Sequence, residues 1–161
     1  MDIGTPCEEV DLFRAIEESG VRALLIGRQA LIALGIPVMT SDYDYWIHID
    51  DIARFNDSVA HLDLSPNHAP EIARTRGRYV LENDLHIDVL VARAVPTVAG
   101  ERVYFDQIWP RRQRLEISFG VSVFVPSLED LIATKRFGAR AKDAEDIRML
   151  ERLKSSGPRD D

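Results

Sequence analysis

Three aspartates, Asp42, Asp44 and Asp88, are the most informative residues of this sequence. Asp42 and Asp44 stand two apart in one predicted strand, and Asp88 lies in a second, His86–Leu90. Side chains at positions i and i+2 of a strand leave from the same face, so Asp42 and Asp44 project side by side, and Asp88 joins them if its strand is adjacent. Carboxylates crowded in this way repel one another unless a cation lies between them, and such oxygen ligands suit Mg²⁺, which also holds substrate phosphates. The pattern therefore favours phosphoryl or nucleotidyl transfer.

The overall composition narrows the class of protein. The chain has 161 residues, of which 45% are hydrophobic and 29% charged, and this suffices for one domain with a core. We expect residues 1–154 to form that domain and residues 155–161 to form a flexible tail. The net charge of −7 disfavours an extensive nucleic-acid surface, although the cluster Arg111–Arg114 is open to two interpretations, a solvated turn or an RNA contact.

The sequence also indicates the cellular location of the protein. The single cysteine, Cys7, cannot form an intramolecular disulfide, and the first residues lack the basic and apolar regions of a signal peptide. No apolar run approaches the length of a membrane span. We therefore expect a cytoplasmic protein with no membrane partner.

The helices and strands around the aspartates are predicted from the spacing of apolar residues, from helix caps and from turn residues. The predicted helices cover residues 5–20, 28–34, 52–62, 103–109, 127–137 and 141–153. The predicted strands cover residues 21–26, 42–49, 78–81, 85–91, 114–118 and 121–125, whereas residues 64–76 and 95–102 are expected to be irregular. This order predicts an α/β (α+β) domain in which helices pack on a small mixed β-sheet.

The motifs around the aspartates resemble those of the DNA polymerase β-type nucleotidyltransferase superfamily. That family has a strand, then Gly followed by Gly or Ser opening a helix, then Asp-x-Asp on a strand, and a third Asp on a neighbouring strand. Here Gly27 opens a helix, Asp42-Tyr43-Asp44 follows, and Asp88 supplies the third acid. The resemblance extends over residues 21–153 and implies a nucleotidyltransferase-like fold.

The C-terminal part of the chain adds to the resemblance. The segments Ser127–Lys135 and Arg140–Ile147 are similar to small stand-alone bacterial nucleotidyltransferases, including proteins related to abortive-infection toxins of the AbiEii kind. The resemblance implies Mg²⁺-dependent transfer of a nucleoside monophosphate from an NTP such as ATP to an acceptor hydroxyl, with release of pyrophosphate. It also implies a possible toxin–antitoxin role with an antitoxin partner.

The resemblance further implies a role for each site residue. Asp42, Asp44 and Asp88 would hold two Mg²⁺ ions, and Asp88 would also accept the proton of the attacking hydroxyl. The nucleotide would be bound by Gly27, Arg28, Ser41 and Lys135. Arg28 stands where the family has Gly or Ser, so its guanidinium could either reach the phosphates or block the pocket.

Other functions remain open from the sequence alone. A non-catalytic nucleotide- or partner-binding domain of the same fold is one, and a Mg²⁺-dependent phosphohydrolase is another. The acceptor of a transferase could be a small molecule such as an aminoglycoside, a protein side chain or a tRNA end.

Several residues near these motifs are expected to serve structure instead. Tyr43 and Tyr45 should face the core, opposite the aspartates. Asp143 and Asp146 should form ion pairs with Lys142, Arg140 or Arg148.

Overall fold

The computed structural model of the protein describes residues 9–97, 100–136 and 141–156, and the side chains of residues 135–136 and 141–143 are not described. Residues 5–8 of the first predicted helix, which include Cys7, as well as Arg140 and the tail residues 157–161, lie outside these ranges. The α-helices are α1 Glu9–Ser19, α2 Gly27–Ala33, α3 Ile52–Val59, α4 Pro70–Arg76, α5 Phe105–Ile108, α6 Leu128–Arg136 and α7 Ala141–Ser155. Short 3₁₀ turns cover Ile49–Asp51, Ala60–Leu62 and Trp109–Arg111.

The strands form one five-stranded mixed sheet and two hairpins. They are β1 Ala23–Ile26, β2 Asp42–Ile47, β3 Ser65–Pro66, β4 Arg78–Glu82, β5 His86–Leu90, β6 Ala94–Pro96, β7 Arg102–Tyr104, β8 Gln113–Ser118 and β9 Val121–Val125. The sheet order is β1-β2-β5-β4-β3, while β6 pairs with β7 and β8 pairs with β9. The predicted α/β (α+β) class, with helices packed on a small mixed sheet, is confirmed.

Strand β2 lies inside the sheet and is paired on both sides. It runs antiparallel to β1 and parallel to β5. Because side chains alternate along a strand, Tyr43, Tyr45 and Ile47 enter the main hydrophobic core, whereas Asp42 and Asp44 leave from the other face. The expectation for the two tyrosines is therefore confirmed.

Hydrophobic residues cover the two faces of the sheet unequally. The larger cluster lies on the tyrosine face, where Phe13 of α1 packs edge-on against Tyr43 and Phe55 of α3 packs against Tyr45. A smaller cluster around Trp46, Phe105 and neighbouring apolar residues lies on the aspartate face. The aspartate-bearing end of β2 is left beside this smaller cluster and is open to solvent.

The prediction that residues 64–76 are irregular is wrong. They contain the short strand β3 and the helix α4, which begins at Pro70 and ends at Gly77, whose φ is 84°. Proline at the first helical position and a left-handed glycine after the last are the usual signals of a helix, and the buried Ala73 packs it against the rest of the domain. Residues 95–102 also differ from expectation, because their ends form the β6–β7 hairpin.

The predicted strand 42–49 ends two residues early. His48 follows β2 with extended backbone, and its Nδ1 accepts a hydrogen bond from the Asp50 amide at 3.0 Å, which starts a 3₁₀ turn. Within the described ranges, no helix combines the length and the apolar character needed to cross a membrane.

Candidate active site

The pairing of β2 with β5 brings the three aspartates to one face of adjacent strands. In this parallel pair Asp44 stands opposite Asp88, and Asp42 stands opposite His86. Neighbouring strands lie about 4.8 Å apart, so Asp44 and Asp88 leave the sheet side by side. The prediction that the two strands are neighbours is confirmed.

The aspartates are accessible to a ligand from solvent. Asp42 is exposed, and Asp44 and Asp88 are half-buried. Among the residues with described side chains, no three acidic or histidine side chains are already grouped as ligands of one metal ion. The strand register and the hard oxygen donors fit a divalent cation in chemistry, and side-chain rotation would be needed to bring the carboxylates onto it.

A glycine lies directly against one of these carboxylates. Gly27 has a φ of 67°, in the left-handed region that favours glycine, and it joins β1 to α2. A Cβ atom at this position would lie 2.5 Å from Asp44 Oδ2. Only a residue without a side chain allows the start of α2 to approach Asp44 this closely. Gly27 therefore sets how near the backbone of α2 lies to the Asp44 carboxylate.

His86 lies between Asp88 and Glu82 and contacts both carboxylates. His86 Nε2 lies 3.4 Å from Asp88 Oδ2, and His86 Nδ1 lies 2.7 Å from Glu82 Oε2. The hydrogen bond to Glu82, aided by the charge of Asp88, raises the pKa of His86 despite its partial burial. Glu82 was missed from the sequence because the predicted strand 78–81 stopped one residue short of it, whereas β4 extends to Glu82 and places it opposite His86.

Solved structures with this arrangement of elements are nucleotidyltransferases. The chain is similar to the candidate nucleotidyltransferase TM1012 from Thermotoga maritima, with 13% identity over 88% of each chain and a TM-score of 0.59. It is similar to the antibiotic-resistance factor ANT(2'')-Ia, with 17% identity, a TM-score of 0.62, and coverage of 91% of this chain and 81% of that one. The chain has the nucleotidyltransferase fold.

An antibiotic-modifying enzyme shares the fold over nearly its whole length. The lincosamide antibiotic adenylyltransferase LnuA, solved with lincomycin bound, matches with 13% identity, a TM-score of 0.62, and coverage of 91% of this chain and 98% of that one. A second structure of ANT(2'')-Ia, in complex with adenylyl-2''-tobramycin, matches with 14% identity, a TM-score of 0.58, and coverage of 91% and 86%. No family model matches the chain, and no curated protein matches its sequence. None of these named structures is described as an abortive-infection toxin, so the AbiEii-like relationship stays a prediction.

Within this nucleotidyltransferase fold, Arg28 is held by an acidic pair on α7. Its Nη2 lies 3.0 Å from Asp146 Oδ1 and 3.5 Å from Glu145 Oε1, and its Nη1 donates to the Met39 carbonyl at 3.3 Å. The Asp146 side chain is 0% exposed and that of Arg28 is 20% exposed. Asp146 forms an ion pair with Arg28, which lies 118 residues away in the sequence and was not among its expected partners. Asp143 and Lys142 have no described side chains.

Arg28 therefore joins three segments next to the aspartates. It is the second residue of α2, next to Gly27, it binds α7, and it contacts the loop around Met39 that leads into Asp42. Neither of the two roles expected for Arg28, as a phosphate ligand or as an obstruction, is tested by this geometry. The contacts establish that its guanidinium is already engaged by carboxylates on α7.

Ser41 and Lys135 are the other two residues predicted to bind the nucleotide. Ser41 is exposed and precedes Asp42, whose amide donates to Thr40 Oγ1 at 3.1 Å. Lys135 lies on α6, but its side chain is outside the described part of the structure.

The basic cluster that was a candidate RNA contact is engaged within the protein. Arg111 Nη2 lies 2.9 Å from Asp130 Oδ1, and Arg114 Nη2 lies 3.1 Å from Glu17 Oε2. Arg112 lies over the ring of Trp109, 3.9 Å from its centroid. These contacts favour the structural interpretation of the cluster over the RNA interpretation.

Proposed function

We propose that the protein is a Mg²⁺-dependent nucleotidyltransferase that moves a nucleoside monophosphate from an NTP to an acceptor hydroxyl and releases pyrophosphate. The observation that carries this proposal is the register of β2 with β5, which sets Asp44 opposite Asp88 and leaves Asp42 on the same face. The nucleotidyltransferase fold supports it, because proteins that share this fold include an adenylyltransferase.

In this mechanism all three aspartates bind metal, and Asp88 also accepts a proton. Asp42, Asp44 and Asp88 would hold two Mg²⁺ ions, which would neutralise charge on the triphosphate and lower the pKa of the acceptor hydroxyl. Asp88 takes up the proton of that hydroxyl, and His86, 3.4 Å from its Oδ2, restrains the carboxylate. Phosphoryl transfer depends mainly on positioning and charge neutralisation, so an open acidic face of this kind suffices for the chemistry.

The nucleotide is placed by the segments that surround the aspartates. Gly27 lets the backbone at the start of α2 approach Asp44, and the Ser41 hydroxyl precedes Asp42 at the exposed end of β2. Arg28 holds the Met39 loop against α7, and Lys135 of α6 supplies a cation for the phosphates.

We propose a small molecule that carries a hydroxyl group as the acceptor. The fold neighbours ANT(2'')-Ia and LnuA are described with tobramycin and lincomycin, which are small molecules of this kind. The engagement of Arg111, Arg112 and Arg114 within the protein, together with the net charge of −7, argues against an RNA acceptor.

The non-catalytic alternative, a nucleotide- or partner-binding domain of the same fold, is not favoured, because the fold neighbour LnuA is named as an adenylyltransferase. No described contact bears on an antitoxin partner, which stays a prediction from resemblance.

The test is a pyrophosphate-release assay with each of the four NTPs, Mg²⁺ and a panel of hydroxyl-bearing antibiotics. We expect release only when an acceptor is present, which separates transfer from phosphohydrolase activity. Asp44→Asn and Asp88→Asn should each lower turnover by roughly a hundredfold or more. The control Asp57→Asn, at an exposed position of α3, should leave turnover unchanged.

Binding provides a second measurement that does not need the acceptor. Calorimetry should detect NTP binding that requires Mg²⁺ and is lost with EDTA. Wild-type turnover in Asp44→Asn, or NTP binding that ignores EDTA, would refute the proposal.

A further inference from the structure

A cavity lies on the opposite side of β2 from the aspartates. It has a volume of about 190 Å³ and is enclosed by α1, β1 and the β8–β9 hairpin. Phe13, Ile16 and Val123 give it apolar walls, and Tyr45, which leaves β2 on the face opposite Asp44, forms part of its lining. For comparison, an apolar cavity of about 150 Å³ accommodates a benzene ring, so this volume suits a ligand with one ring.

Two residues of the cavity lining each carry a buried polar atom that has no hydrogen-bond partner in the described part of the chain. These atoms are the hydroxyl of Tyr45, a residue that is 2% exposed, and Nε of Arg112. Burial raises the pKa of the Tyr45 phenol well above its usual value, so the hydroxyl stays protonated and can both donate and accept. A buried N–H or O–H without a partner is unfavourable, and a ligand that pairs with it recovers that loss.

Arg112 is fixed in the lining by aromatic rings and not by a carboxylate. Its guanidinium carbon lies 3.9 Å from the Trp109 ring centroid and 4.6 Å from that of Phe124, and Nη1 donates to the Trp109 carbonyl at 2.9 Å. Its neighbours Arg111 and Arg114 each bind a carboxylate, whereas Arg112 has no ion pair with any residue whose side chain is described. Arg112 is thus held in place by two aromatic rings and a backbone carbonyl, with no carboxylate partner among the described side chains.

The charges around the cavity favour an anion. Glu17 is the acidic residue of the lining, and its carboxylate already accepts from the Ser122 amide at 3.1 Å and pairs with Arg114 at 3.1 Å. Two guanidinium groups, Arg112 and Arg114, against one carboxylate leave one net positive charge. A ligand with a single negative charge would neutralise it.

We propose that this cavity is a binding site for a monocyclic aromatic carboxylate. The ring packs against Phe13, Ile16 and Val123, and the carboxylate pairs with the guanidinium of Arg112. A hydroxyl group on the ring pairs with Tyr45. The site is separate from the aspartate face and does not depend on nucleotidyl transfer.

Calorimetry with four probes tests the chemistry of the ligand. We expect saturable one-to-one binding of benzoate and tighter binding of 4-hydroxybenzoate. Acetate, which lacks the ring, and benzylamine, which reverses the charge, should bind at least about tenfold more weakly. Absence of saturable benzoate binding, or equal binding of benzylamine, would overturn the proposal.

Variants then assign the binding to this cavity. Arg112→Gln should weaken benzoate binding by at least about tenfold, while Arg102→Gln, an exposed arginine over Tyr104, should leave it unchanged. Asp44→Asn should also bind benzoate normally, which separates this site from the aspartate face. Wild-type benzoate binding in folded Arg112→Gln would overturn the assignment.

Tyr45→Phe keeps the test informative if Arg112→Gln does not fold. This change removes only a hydroxyl that has no partner, so the melting temperature should not fall. The preference for 4-hydroxybenzoate over benzoate should disappear in Tyr45→Phe. A preference that persists unchanged would overturn the assignment of Tyr45 to the ligand.

Discussion

Gly27 and Asp44 pack so closely that a Cβ atom at residue 27 would lie 2.5 Å from the Asp44 carboxylate. We therefore expect Gly27→Ala to destabilise the protein by about 3 kcal/mol, from left-handed backbone strain and from the collision with Asp44. Gly20, with a φ of 73° and no atom within 4 Å of the place a Cβ would take, is the matched control, since Gly20→Ala adds strain without a collision. It should cost about 1 kcal/mol in urea unfolding.

The same pair allows a double-mutant test. In Asp44→Ala the colliding carboxylate is gone and only the Cβ atom of residue 44, at 3.2 Å, remains close, so adding Gly27→Ala should cost clearly less than in the wild-type background. Equal costs for Gly27→Ala and Gly20→Ala in the wild-type background would show that the contact with Asp44 is unimportant.

The bond between Arg28 and Asp146 should contribute strongly to stability. Arg28→Met removes the guanidinium from a fully buried carboxylate, and we expect a loss of about 3 kcal/mol in urea unfolding. The control is Arg54→Met at an exposed position of α3, which should change stability by less than about 0.5 kcal/mol. If both changes have the same small effect, Arg28 does not anchor α7.

The contacts of Asp51 predict a loss of stability in acid. Burial raises the pKa of Asp51, but hydrogen bonds from the Arg22 side chain and amide, at 2.8 to 3.0 Å, lower it further, so the folded pKa lies below the ordinary value. A carboxyl with a lowered folded pKa stabilises the protein above its unfolded pKa of about 3.9, and this contribution is lost as the pH falls through the folded pKa.

Unfolding at two pH values measures this contribution. Asp51→Asn should destabilise the protein by about 2 kcal/mol near pH 7, and the difference from wild type should shrink toward about pH 2. The control Asp57→Asn, an exposed carboxylate, should show almost no difference at either pH. A difference for Asp51→Asn that does not change with pH would exclude ionisation of Asp51 as its cause.

Ser127 caps the N-terminus of α6. Its Oγ accepts from the Asp130 amide at 3.1 Å and donates to Asp130 Oδ2 at 2.9 Å. Ser127→Ala should lower the free energy of unfolding by about 1 kcal/mol. Ser156→Ala, at an exposed serine after α7, should have an effect below about 0.5 kcal/mol, and equal effects of the two changes would argue against the cap.

The shared face of the aspartates could be predicted because it depends on local rules. The two-residue spacing of Asp42 and Asp44 fixes their common face in any strand, and the turn at Asn83 marks the hairpin that carries Asp88. The parallel pairing of β2 with β5 needs the packed sheet and could only be expected conditionally. The helix α4 was missed although Pro70 and Gly77 marked its ends, because the polar residues between them lack a clear apolar period.

Long-range contacts could not be predicted in the same way. Arg28 was expected at the phosphates or in their path, and its local sequence contains no sign of Asp146, 118 residues further along the chain. The cavity at Tyr45 is likewise assembled from α1, β1 and the β8–β9 hairpin, which are distant in sequence. Such contacts depend on how the elements pack, which periodicity and capping rules do not specify.

The alternation of aspartates and tyrosines along β2 means that insertion of one residue in this strand would exchange its two faces. The carboxylates would then enter the hydrocarbon interior, and the aromatic rings would turn toward water. A shift of β2 by one residue would therefore destabilise the folded state. Folded molecules in which the acidic face is misaligned should not accumulate.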